Sequence, residues 1–170
     1  MKEELDILTI DDLNNYLLQV IPQTEQDRVF NQDKCDIDHN FLGFIDTYYY
    51  LSRIIPEDYT IIDFGAAYNI QSYFFVNHSR YIAVTPLVKE AFKPDNCTIY
   101  KLTTGEFLSQ VDYPKDKVFA ICNYVSDWFG ECSIDLVRDN FANCYCFYPD
   151  SDKEGLKELQ AHRALPKRID

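Results

Sequence analysis

The spacing of hydrophobic residues changes along the chain. Before residue 56, apolar residues recur every three or four positions, which is typical of amphipathic helices. From residue 59 onward, short β-branched and aromatic runs, typical of strands buried on both faces, alternate with stretches of helical spacing. The predicted helices cover residues 8–21, 40–55, 67–78, 106–111, 127–141 and 151–165. The predicted strands cover residues 59–63, 80–85, 97–102, 117–123 and 143–148.

This alternation of strands and helices predicts an α/β fold. We expect a Rossmann-like, doubly wound and mainly parallel sheet of at least five strands, with helices on both faces. The runs 59–63 and 117–123 have few exposed-type residues, so they should be the central strands. A length of 170 residues fits one domain. Its α/β body would cover residues 40–150, with an N-terminal helix and acidic loop over 1–39 and a helix or tail over 151–170.

The charge of the chain is negative and unevenly distributed. Residues 1–60 hold 13 acids and 4 bases, a balance of −9 out of −12 for the whole chain. We therefore expect no direct binding of nucleic acid, because phosphate contacts need a basic face. The acidic N-terminal third is either a solvated surface or a contact surface for a basic protein partner.

From the sequence we expect neither a membrane span nor a signal peptide. No apolar run approaches the roughly 20 residues of a membrane span, and the acidic start Met-Lys-Glu-Glu is unlike a signal peptide. The six cysteines form no Cys-x-x-Cys pair, so we expect free thiols in a reducing, cytoplasmic setting. Asp33, Asp36, Asp38 and His39 lie close together, but they lack the pattern of a calcium loop, and we predict no metal site.

The segment Ile61-Ile-Asp-Phe-Gly-Ala-Ala-Tyr-Asn69 carries the most chemistry. A predicted strand ends in Asp63, and Gly65 then allows a tight turn into a predicted helix. A helix N-terminus offers free N–H groups and a partial positive charge, which suits a nucleotide-like ligand. The alternative is a tight strand-to-helix turn that binds no ligand.

This segment resembles the first motif of the class I S-adenosylmethionine-dependent methyltransferases, Asp/Glu-x-Gly-x-Gly-x-Gly. The acid and the first glycine are present as Asp63 and Gly65, whereas Ala67 and Asn69 replace the second and third glycines. Three later runs resemble the second, fourth and fifth strands of that family. They are Tyr81-Ile-Ala-Val-Thr-Pro86, Ala120-Ile-Cys-Asn-Tyr-Val-Ser-Asp-Trp128 and Cys144-Tyr-Cys-Phe-Tyr-Pro149.

The resemblance implies that S-adenosylmethionine is the cofactor. The residues that it assigns to cofactor binding are Asp63, Gly65, Ala66, Ala67, Tyr68, Asn69 and Thr85. Two of them depart from the family pattern. Ala67 adds a methyl group where the backbone should approach the ligand, and Thr85 stands where the family has an acid that holds the ribose hydroxyls.

Asn123 and Tyr124 are the candidate substrate-binding residues. With the residues that follow them, they loosely resemble the Asn/Asp-Pro-Pro-Tyr motif of the amino-methylating members, but both prolines are missing. The alternative is a strand exit followed by a helix cap at Ser126 or Asp127.

Two functions are consistent with the sequence. The first is a small, divergent methyltransferase-like protein that binds S-adenosylmethionine at the first strand-turn-helix. The second is a catalytically inactive Rossmann-like interaction or regulatory module that binds a protein partner through its acidic N-terminal surface.

Overall fold

The computed structural model describes most of the chain between residues 10 and 147. The described ranges are 10–25, 45–66, 69–86, 92–123, 127–128 and 130–147. The helices are α1 (Ile10–Val20), α2 (Ile45–Ile54), the 3-10 helix η1 (Ile70–Phe75), α3 (Thr104–Gln110) and α4 (Ser133–Asn140). The strands are β1 (Thr60–Phe64), β2 (Arg80–Val84), β3 (Cys97–Tyr100), β4 (Val118–Asn123), β5 (Asp127–Trp128), β6 (Glu131–Cys132) and β7 (Cys144–Phe147).

Five of these strands form one parallel sheet in the order β3-β2-β1-β4-β7. Every residue of β1 and of β4 is buried, and the two strands are neighbours inside the sheet. The prediction of an α/β, Rossmann-like sheet with 59–63 and 117–123 as central strands is therefore confirmed. The chain moves outward from β1 to β3 and then returns to β4, so the strand order reverses between β1 and β4. In open α/β sheets, ligands bind beyond the carboxyl ends of the strands at such a reversal.

Successive strand residues point to opposite faces of the sheet, so both faces carry apolar side chains. Helices cover each of them. On one face, Ile61, Tyr81 and Phe119 pack in a core with side chains of α1, α2 and η1. On the other face, Ile62 and Ile82 pack in a core with side chains of α3 and α4. The sheet is thus doubly wound, as the alternation of elements predicts.

The helix of the first crossover is shorter than the helix predicted over 67–78. The structure has a six-residue 3-10 helix in which every residue is buried. After Phe75 the chain must reach β2 quickly, since the Ser79 amide already donates to the carbonyl oxygen of Glu57 at 2.7 Å. A regular α-helix with a solvated face would not fit this short, enclosed path.

The helix predicted over 127–141 also differs from the structure. Only its second half is helical, because β5 and β6 form a short antiparallel pair before α4 begins. Gly130, in the turn of that pair, has a left-handed backbone with φ of 74°, and this conformation interrupts a helix. The apolar spacing of Trp128, Cys132 and Leu136 suggested one helix, but the glycine ends that pattern.

Other predictions fall partly or wholly outside the described residues. The acidic loop, most of the segment 1–39 and the helix predicted over 151–165 lie there. Within the described part of the chain, no helix is long and apolar enough to cross a membrane. Five cysteines are free thiols, namely Cys97, Cys122, Cys132, Cys144 and Cys146, whereas Cys35 lies outside the described residues.

Candidate functional site

The turn after β1 connects the central strand to η1 at the carboxyl edge of the sheet. Gly65 has φ of 77° and Asn69 has φ of 66°, so both described ends of the turn are left-handed. Glycine adopts this conformation without strain, and asparagine tolerates it better than most residues. The amides of Gly65 and Ala66 both donate to the carbonyl oxygen of Val84, at 2.7 and 3.3 Å. These bonds tie the start of the turn to the end of β2.

Asp63 is fully buried beside this turn and receives three hydrogen bonds. The hydroxyl of Tyr48 donates to Oδ1 at 2.9 Å. The hydroxyl of Tyr81 donates to Oδ2 at 2.6 Å, and Nε2 of Gln71 donates to the same oxygen at 2.9 Å. The donors come from α2, β2 and η1, so one carboxyl group joins three elements to β1.

Burial dominates the protonation of this carboxyl group. Removal from water disfavours the charged form and raises the pKa of Asp63 from 3.8 to about 6. The hydrogen bonds from Tyr81, Gln71 and Tyr48 favour the carboxylate and oppose this rise. Burial, followed by the negative charge of Asp63, raises the pKa values of the Tyr48 and Tyr81 hydroxyls well above 10. Both hydroxyls therefore stay protonated and remain donors at neutral pH.

Asn69 closes the turn, and its side-chain amide is fixed from one side. Its Nδ2 donates to the carbonyl oxygen of Phe92 at 2.9 Å and to Sγ of Cys97 at 3.4 Å. Since a carbonyl oxygen can only accept, these contacts determine which end of the amide is nitrogen. The Oδ1 atom is buried and has no hydrogen-bond partner in the described part of the protein. It is an acceptor that a ligand or a water molecule could use.

Thr85 directly follows β2, and Asn123 is the last residue of β4. Both therefore lie at the carboxyl edge of the sheet. Thr85 is 3% exposed, and its amide donates to the carbonyl oxygen of Tyr100 at 3.0 Å. Asn123 is 1% exposed. With Asp63 and Asn69, both fully buried, they make a set of polar side chains enclosed by protein. Ala67, Tyr68 and Tyr124 lie outside the described residues, so their assignment stays a prediction.

The three donors to Asp63 were not identified as site residues from the sequence. Gln71 carries the only local signal, since it is a polar residue in an otherwise strongly apolar stretch. Tyr48 and Tyr81 lie 15 and 18 residues from Asp63, and only the packing of α2 and β2 brings them there.

The described site offers carboxyl, amide and hydroxyl groups and no metal cluster. Within the described ranges, no group of three His, Cys, Asp or Glu side chains could hold a metal ion. The candidate loop with Asp33, Asp36, Asp38 and His39 lies outside these ranges. Asp63 already accepts three hydrogen bonds from the chain itself, whereas Asn69 Oδ1 is left able to accept one.

No protein-family model matches this chain, and no curated protein matches it. Among solved structures, the chain is similar to "a Putative Type II Methyltransferase from Anaeromyxobacter dehalogenans", with 14% identity and a TM-score of 0.42. The alignment covers 74% of this chain and 60% of that one, so this chain spans less than two thirds of that protein's length. The assignment of the α/β fold rests on the order and register of the strands.

Proposed function

We propose that this protein is methyltransferase-like and binds S-adenosylmethionine at the turn after β1. The observation that carries the proposal is the place and shape of this turn. It lies where the strand order reverses, and Gly65 and Asn69 are both left-handed, with φ of 77° and 66°. Such turns let the backbone approach a nucleotide-type ligand closely. The resemblance of Asp63 to Asn69 to the first motif of the methyltransferases supports the same ligand.

The chain's own residues would contribute positioning to this function. Asn69 Oδ1 is a buried acceptor without a described partner, so a ligand N–H or O–H could satisfy it. Asp63 holds α2, β2 and η1 around the turn through its three hydrogen bonds. The bound cofactor would supply an activated methyl group, and methyl transfer to a well-placed acceptor depends mainly on orientation.

We expect S-adenosylmethionine and its demethylated product to stabilise the folded protein. At a hundred times the dissociation constant, the gain in free energy of unfolding is about 2.7 kcal/mol. For a chain of this size, that gain raises the melting temperature by roughly 5–10 °C. Thermal denaturation with each ligand, and with adenosine and methionine as separate controls, measures the effect. An unchanged melting temperature at millimolar ligand would contradict the proposal.

The variant Asn69→Gly makes this test specific to the turn. Glycine accepts the left-handed backbone but removes the amide, so the variant should fold and lose most of the stabilisation by ligand. Lys117→Gly is the matched control, because Lys117 also has a positive φ, of 48°, and its side chain is exposed. This control should retain the full shift.

The burial of the polar side chains at the site supports a second function. Asp63, Asn69, Thr85 and Asn123 are each at most 3% exposed, and the chain itself supplies three donors to Asp63. A buried carboxyl group that the chain itself supplies with donors can be a structural part of a non-catalytic module. The acidic N-terminal third, with a balance of −9 over residues 1–60, would then bind a basic protein partner.

The two functions predict different results for the same protein. A non-catalytic module would show no shift with S-adenosylmethionine. It would instead retain a partner at low ionic strength and release it near 0.5 M salt, where the screening length falls to roughly 4 Å. Retention that salt does not weaken would exclude the acidic surface as the main contact.

A further inference from the structure

A carboxylate from a distant part of the chain is bound at the start of α3. The amide of Gly105 donates to Oε1 and to Oε2 of Glu131, at 3.0 Å in each case. Glu131 lies in β6, 26 residues further along, and its side chain is partly buried. The first N–H groups of a helix have no partner within the helix, so this carboxylate satisfies one of them.

The space for this carboxylate exists because residue 105 is glycine. A Cβ atom added to Gly105 would collide with the Glu131 carboxylate. Gly105 is not left-handed, so its backbone does not require glycine. The lack of a side chain at Gly105 therefore allows the Glu131 carboxylate to approach the backbone amide closely.

A second contact joins the same two parts of the chain. The hydroxyls of Thr104 and Ser133 lie 2.9 Å apart and share a hydrogen bond. Both residues are buried, with 5% and 3% exposure. They begin α3 and α4, so the first turns of the two helices are linked beside the Glu131 contact.

We infer that Glu131 is a latch that holds the β5–β6 pair and the start of α4 against α3. The segment 131–133 follows the exit of β4, and Gly105 follows the exit of β3. The latch thus fixes the position of Glu131 relative to the crossover that follows β3. This inference goes beyond the proposed function and holds whether or not S-adenosylmethionine binds.

Local hydrogen exchange of the Glu131→Ala variant tests the latch. Loss of a hydrogen bond to a charged group lowers the local stability, so amides in residues 130–137 should exchange roughly 10- to 100-fold faster than in the wild type. Amides of β1 and β4 should keep their protection. Gly105→Ala, made from the other side of the contact, should accelerate the same segment because the new methyl group displaces the carboxylate.

Glu106→Ala is the matched control. Glu106 belongs to the capping box of α3, in which Thr103 Oγ1 accepts from the Glu106 amide and the Glu106 carboxylate accepts from the Thr103 amide. Its loss should loosen the first turn of α3 and leave residues 130–137 protected.

Two results would overturn the latch. The first is that Glu131→Ala loosens only α3, as the control does, because Glu131 would then be merely a helix cap. The second is that Glu131→Ala and Gly105→Ala accelerate exchange additively when combined, because variants of one contact should not add. Neither result depends on ligand binding, so failure of the latch is distinct from failure of the proposed function.

Discussion

Replacing Asp63 by asparagine is expected to remove a large pH-dependent term from the stability of the protein. The pKa of Asp63 rises from 3.8 to about 6 because the carboxyl group is fully buried. A group whose pKa is raised by folding stabilises the protein below its unfolded pKa. That stability is lost as the pH rises from about 4 through 6. The loss amounts to roughly 3 kcal/mol, at about 1.4 kcal/mol for each pKa unit.

Asparagine fits the same network without a charge. Its Oδ1 can accept from Tyr81 and Gln71, and its Nδ2 can donate to the Tyr48 hydroxyl, which also accepts. Tyr48, Tyr81 and Cys97 are titratable groups that also interact with Asp63. Burial raises the pKa values of all three, so they stay neutral across this range.

Urea denaturation from pH 4 to pH 7.5 measures this effect. The difference in unfolding free energy between Asp63→Asn and the wild type should change in favour of the variant by roughly 3 kcal/mol across the range. Asp112→Asn is the control for the change in net charge, since it removes one negative charge at an exposed position. Parallel profiles for Asp63→Asn and the wild type would show that Asp63 does not titrate in this range.

The sheet was predictable from the sequence because its strands are local patterns. Ile61-Ile62 and the run Val118-Phe-Ala-Ile-Cys122 are continuous apolar stretches, and buried parallel strands produce such stretches. Their alternation with helical segments then restricts the topology to doubly wound arrangements. Element order was thus available without knowledge of any long-range contact.

Helix boundaries were less predictable, although some signals were present. The capping box of Thr103 and Glu106 marks the start of α3 at Thr104, two residues before the predicted start at 106. Gly130 likewise marks the break before α4, but the apolar spacing on either side of it favoured one continuous helix. In both cases residues with a specific backbone role, rather than the periodic pattern, set where the helix begins.

The environment of the candidate site required the structure. The sequence places Asp63, Gly65 and Asn69 in one turn, but it does not show that Tyr48 and Tyr81 donate to Asp63. Ligand crevices at the strand ends of such sheets are open to water. Thr85 is instead 3% exposed, which only the folded structure shows.

The burial of Thr85 predicts a large loss of stability for Thr85→Asp in the absence of ligand. An aspartate at a position that is 3% exposed would place a second carboxylate inside the protein. Without a positively charged partner, this costs several kcal/mol in free energy of unfolding. Thr85→Asn is the matched control, because it has the same size without the charge and should cost clearly less. Urea denaturation of both variants at pH 7 gives the difference.

The response of Thr85→Asp to ligand distinguishes the two proposed functions. If Thr85 contacts the ribose of S-adenosylmethionine, the carboxylate accepts from the ribose hydroxyls more strongly than a neutral oxygen does. The affinity should then rise by roughly tenfold over the wild type, and the ligand should restore part of the lost stability. Calorimetric titration of the wild type and both variants measures this. If Thr85→Asp loses stability and none of the three proteins binds the ligand, the result favours the non-catalytic module. If Thr85→Asp is as stable as the wild type, the result contradicts the burial of this side chain.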